Sequence, residues 1–134
     1  MKSAFEDLEN RKFVWNNLQI LFMDTDVKSE LNGIADKLAA SPYSLSEIET
    51  ILAKEVFPAC WFNLLLFVGG EWAGFDIEWL SNRILKRQKR RWLKMPPLFG
   101  RSLIRPYWYA LEELISAKRG EKSKNYLIEE VRKN

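Results

Sequence analysis

Ser44-Leu45-Ser46-Glu47-Ile48-Glu49-Thr50-Ile51-Leu52-Ala53-Lys54-Glu55-Val56 carries two signals at once. Ser44 and Glu47 form a capping box. The serine hydroxyl meets an orphan N–H of the first helical turn, and the glutamate reaches back to the N–H of the serine. Behind the box, Leu45, Ile48, Ile51, Leu52 and Val56 recur at helical spacing and make one apolar stripe. A helix striped in this way has to bury that face against other elements.

Working outward, the same grammar repeats. Ser3-Ala4-Phe5-Glu6 is a second capping box, and Phe5, Leu8, Trp15, Leu18 and Phe22 follow near helical spacing. They predict a first helix ending near Met23, where Asp24-Thr25-Asp26 interrupts the pattern. Leu31, Ile34, Ala35 and Leu38 mark a second helix, with Gly33 costing it up to about 1 kcal/mol of propensity. Ser41-Pro42-Tyr43 is the turn leading into Ser44. Downstream, Pro58 is expected to open a fourth helix, where its missing N–H costs nothing. Trp61 to Val68 is apolar on every face, which suits an enclosed helix, although periodicity alone does not separate it from a buried strand. Gly69-Gly70 and Gly74 mark a loop, and Asp76 can N-cap a fifth helix with Ile77, Leu80 and Ile84 inward. Met95-Pro96-Pro97 ends it. Pro106 is expected to open a sixth helix carrying Trp108, Leu111, Leu114 and Ile115, closed by Gly120. Residues 121–134 form a charged tail. The expected architecture is an all-α, compact single domain over residues 1–134, a bundle of about five to seven helices.

Composition supports a folded core. The chain is 47% hydrophobic, with six tryptophans and eight phenylalanines, far from the profile of a disordered segment. One cysteine and no histidine exclude an internal disulfide and the common histidine-dependent triads and metal sites. Cys60 sits in the most apolar stretch, Phe57 to Val68, and is expected to be a small buried hydrophobe. The fifteen uncharged residues between Glu55 and Glu71 fall short of the about twenty that span a bilayer. Lys2, Glu6, Asp7 and Glu9 charge the start of the chain and leave no secretory apolar region there. The expected compartment is a reducing cytoplasm.

Charge is the most informative feature. Residues 1–82 hold thirteen acidic and six basic side chains, whereas 83–111 hold nine basic ones and no acidic one. A block of like charge repels itself, and helix-end electrostatics accounts for only two or three such cations. The remainder are available either to pair with the acidic first half or to steer an acidic partner. The candidate partner-binding residues are Arg83, Lys86, Arg87, Lys89, Arg90, Arg91, Trp92, Lys94, Arg101 and Arg105. Trp92 beside Lys86 to Arg91 also suits phosphate contact with base stacking, although no nucleic-acid-binding motif accompanies it.

Catalytic chemistry would have to rest on carboxylates. Asp24 with Asp26 lies at a helix junction, where capping explains both. Glu71, Asp76 and Glu78 surround the glycine loop near Trp72, a setting that can raise a carboxyl pKa, but turn and cap duties account for them too. No phosphate-binding glycine loop and no nucleophile elbow is present. No catalytic residue, cofactor or metal is expected. Asn63, the strongly polar side chain inside the apolar run, is expected to hold a neighbouring loop.

Asn63-Leu64-Leu65 and Gly70-Glu71-Trp72-Ala73-Gly74-Phe75-Asp76 resemble a family of small uncharacterised bacterial proteins, a domain of unknown function. Val14-Trp15, Leu21-Phe22-Met23-Asp24-Thr25, Ser44-Leu45-Ser46-Glu47-Ile48-Glu49 and Glu55-Val56-Phe57-Pro58 extend the likeness over about residues 12–86. The resemblance implies a bacterial cytosolic protein and carries over no catalytic residue. Short, helix-rich, histidine-poor bacterial proteins look like the immunity partners of antibacterial toxins, an analogy of type rather than of motif. The expected function is therefore a non-enzymatic protein-binding module that occludes a toxin domain. The alternative is a small nucleic-acid-associated regulator using residues 83–105.

Overall fold

The Ser44 capping box forms as its sequence dictates: Ser44 Oγ accepts from the Glu47 N–H at 3.1 Å, and Glu47 accepts from the Ser44 N–H at 2.9 Å. This is a computed structural model describing residues 1–22, 27–60, 76–89 and 97–120, with the backbone alone for Val27 and residues 97–103. Five helices are present among the described residues: α1 (Leu8–Leu18), α2 (Val27–Ala39), α3 (Leu45–Ile51), α4 (Ile77–Lys89) and α5 (Pro97–Arg119). No strand occurs among those residues, and the fold is all-α. The glycine-rich stretch 69–75, Asn63, the Asp24–Asp26 pair and the charged tail lie outside them.

Three sequence expectations need correcting. The Ser3 box forms, with Ser3 and Glu6 exchanging hydrogen bonds at 2.9 and 3.3 Å, but it closes a turn and α1 itself starts at Leu8. Phe5 consequently leaves the apolar stripe and is 52% exposed. The helix also tightens into a 3-10 turn, Gln19–Phe22, instead of running on unchanged.

The second correction concerns Pro58, which opens no new helix. α3 passes into a π-helical turn, Leu52–Val56, where the Phe57 N–H donates to Leu52 O, and residues 57–60 continue the helix. A proline ring clashes with the carbonyl four residues earlier and offers that carbonyl no donor. A wider turn immediately upstream relieves both problems and leaves Pro58 in the helix interior. Third, α5 starts at Pro97, and Pro106 lies inside it. Pro97 takes the first helical position, where proline is well tolerated. At Pro106 burial outweighs the local cost: Ile104, Trp108, Leu111 and Ile115 all face the core.

α2 packs along α5, which also covers α3 and the π turn, while α1 bridges α2, the π turn and α4. The core gathers Trp15 and Leu18 from α1, Ile34 and Leu38 from α2, Ile48 and Ile51 from α3, and Leu80 and Ile84 from α4. Each helix stripe recognised in the sequence that falls on described residues thus contributes buried residues. Where α2 and α5 end together, two sets of leftover carbonyls meet. Arg119 Nε donates to Ala39 O at 3.0 Å, and its Nη2 donates to Leu38 O at 3.0 Å and Ser41 O at 3.1 Å. Lys118 adds an ion pair to Asp36 at 2.6 Å. The cations offset two negative helix ends at one corner.

Inside the core lies a buried ion pair. Arg11 Nε donates to Glu55 Oε1 at 2.9 Å, and both residues are nearly sealed from solvent, 2% and 7% exposed. Trp15 Nε1 donates to the same oxygen at 2.9 Å. Arg11 Nη1 donates to Lys2 O at 3.1 Å and Tyr43 Oη at 3.4 Å, with its guanidinium over the Tyr43 ring. Tyr43 donates onward to Asp7. Burial works against the Arg11 charge, but the bonds to Glu55 and Tyr43 outweigh it and raise its pKa.

Arg11→Met leaves the Glu55 carboxylate buried without its counter-charge and destabilises the fold by about 3–5 kcal/mol. A double-mutant cycle with Glu55→Gln in urea unfolding returns a coupling on the order of 0.5–3 kcal/mol. A Cβ added at Gly33 meets nothing within 4 Å, so Gly33→Ala stabilises by about 0.5–1 kcal/mol. Gly120→Ala costs about 1 kcal/mol in the same assay, because φ there is +70°.

Candidate partner-binding surface

α4 begins on the apolar side with Leu80 and Ile84 in the core, then turns basic in its second half. Asp76 stands just before it, and its carbonyl accepts the Leu80 N–H at 2.9 Å. α4 runs antiparallel to α1: Lys12 Nζ bridges to Glu78 at 3.0 Å near one end, and Lys89 Nζ lies over the Phe5 ring at 5.6 Å near the other.

The four described cations of α4 divide into two kinds. Arg83, half-buried, donates from Nε to Ala59 O at 3.1 Å and stacks over Trp79 at 5.3 Å, so it ties α4 to the helical residues 57–60 that follow the π turn. Lys89 sits on Phe5. Lys86 is exposed and makes no hydrogen bond or ion pair among the described residues. Arg87 is half-buried, and its charge is disfavoured first by burial and then by Arg83 one turn away. No carboxylate lies within ion-pair distance of any of the four among the described residues. The described carboxylates of the acidic amino-terminal half therefore do not pair with them.

Trp79, 40% exposed, stands one helical turn from Arg83 and gives the basic stripe an aromatic neighbour. Phe13 on α1 is exposed as well. Sequence reasoning passed over Trp79, although it falls one position off the Leu80 stripe and could have been found by that offset. Arg105, the fifth described candidate, is exposed on α5, and no hydrogen bond, ion pair or ring contact joins it to the α4 cations. The fold therefore splits the basic segment between two helices. Arg90, Arg91, Trp92 and Lys94 lie outside the described residues, and for Arg101 only its place on α5 is described.

A family described as a domain of unknown function, DUF7079, matches residues 9–117. The chain belongs to this family. The matched span takes in all but the first residue of α1, all of α2 to α4 and most of α5, so the basic half of α4 lies within the DUF7079 domain. No curated protein and no solved structure matches the chain.

The remaining chemistry-bearing groups are placed as follows. Asp76 and Glu78 are both exposed, and Glu78 is held by Lys12, while Glu71 lies outside the described residues. Among the described residues, no group of three or more His, Cys, Asp or Glu side chains is arranged to hold a metal ion. No helix among them is long and apolar enough to cross a membrane. Cys60 is fully buried, and burial pushes its thiol up to about 12, with Arg83 opposing the shift. Thiolate is the reactive form. Cys60 in the native DUF7079 protein should resist alkylation at pH 8 and react at the rate of a free thiol only in denaturant, as mass-spectrometric labelling would read.

Proposed function

We propose that this DUF7079 protein is a non-enzymatic binding module whose basic α4 face docks an acidic protein surface. One observation carries the reading: Arg83, Lys86, Arg87 and Lys89 share one helix, and none of them meets a carboxylate among the described residues. Arg83 and Lys89 are spent partly on the fold itself, through Ala59, Trp79 and Phe5. Lys86 and Arg87 are left to face a partner. Complementary charge speeds such association and sets its specificity, and the exposed Trp79 supplies an anchor of the kind that dominates interface energy. The partner best suited to a small bacterial helical protein of this type is a toxin domain, which the module neutralises by occlusion in the cytoplasm.

A second reading rests on Trp79. An exposed indole beside unpaired cations also suits single-stranded nucleic acid, with phosphates on the cations and a base on the ring. Binding of that kind weakens steeply with salt.

Affinity capture from the native cell lysate separates the two. The measurement is made at two salt concentrations, with and without nuclease, using wild type and Lys86→Glu/Arg87→Glu. A stoichiometric protein retained by the wild type at low salt and lost from the variant supports the toxin-binding reading. Recovery abolished by nuclease moves the assignment to nucleic acid. Equal recovery by both forms removes α4 from the interface.

A further inference from the structure

α5 offers a second surface, independent of α4. Arg105, Tyr109 and Glu113 stand at successive four-residue intervals and are all exposed, with Tyr109 at 43%. Residues four apart lie on one ridge of a helix, so the ridge reads cation, aromatic, anion. Each charge is about 6 Å from Tyr109 along the axis, on opposite sides. Neither charge makes an ion pair among the described residues, although Lys118 and Arg119 on the same helix are both engaged with α2. Pro106 and Ala117, also exposed, keep the adjoining surface low enough for a second helix to approach.

A partner of uniform charge would match one end of this ridge and oppose the other. Both ends are satisfied only by a surface carrying the same three groups in reverse order, and an antiparallel copy of the ridge is such a surface. We propose that the outer face of α5 is a two-fold, self-complementary dimer interface, with Tyr109 near the axis and Arg105 of each copy against Glu113 of the other. An isologous contact of this kind uses each pair twice. Ridges of the four-residue class interdigitate at about −50°, which brings the helices closest at the central residue and keeps both ends within reach of long side chains. The antiparallel arrangement also sets the two helix dipoles against each other favourably.

Sedimentation velocity on the full chain, across a concentration series, tests the arrangement. The wild type is expected to dimerise reversibly. Arg105→Glu gives each copy two anions on the ridge and Glu113→Arg gives each two cations, so either change alone should weaken self-association at least tenfold. An equimolar mixture of the two variants pairs opposite charges at both ends and should recover dimer. Both positions are exposed, and circular dichroism confirms that each variant is folded. A wild type that stays monomeric at high micromolar concentration overturns the proposal, as does a dimer insensitive to either reversal or a mixture that fails to recover.

Discussion

The Arg11–Glu55 pair is the constraint on which the arrangement of the helices depends. It joins α1 to the π turn through a short contact inside the core, and it draws in the Trp15 indole and the Tyr43 hydroxyl. Tyr43 comes from the turn between α2 and α3, and Lys2 O from the segment before α1. One carboxylate and one guanidinium thus fix how four parts of the chain meet. Buried charges of this kind add little net stability over well-packed apolar side chains, but removing one partner is expensive. That asymmetry penalises any register of α1 against α3 that separates the two. Pairing is required once either is buried.

The π turn belongs to the same arrangement. Between Ile51 and Cys60, Lys54 is the one exposed residue, and Glu55 sits among Leu52, Ala53 and Val56 on a helix enclosed nearly all round. The wider turn lets the chain carry Pro58 through the helix, and it holds the Glu55 carboxylate where α1 can reach it. Pro106 illustrates the opposing case, in which burial of large side chains on both sides holds a helix together across a proline. In each case local preference favours a break, and packing against the neighbouring helices overrides it.

The same economy runs through the charges. Arg83, Lys118 and Arg119 are all recruited to carbonyls or carboxylates of neighbouring helices, where a long cation can reach beyond its own element. Membership of the basic block did not by itself mark a side chain for a partner. Among the described residues of that block, the groups left over are Lys86 and Arg87 on α4 and Arg105 on α5. The described part of a basic run in sequence thus falls on two helices, with cations alone along the second half of α4 and alternating charge along α5.

Sequence by itself determined the helical class and the buried stripes, because capping boxes and 3.6-residue periodicity act over a few neighbouring residues. Ile48, Ile51, Leu80, Ile84, Leu111 and Ile115 were assigned to the core on that basis, and all are buried. Arg11 and Glu55 were legible in part. Each falls on the apolar stripe of its own helix, four residues from Trp15 and from Ile51 respectively, which marks a charge that must find a partner. That they find each other, forty-four residues apart, only tertiary structure decided. Long-range packing likewise decided the continuity of helix through Pro58 and Pro106, the exposure of Phe5, and which of the described cations remained free. Those outcomes depend on what lies opposite a residue in space, and local spacing carries no record of it.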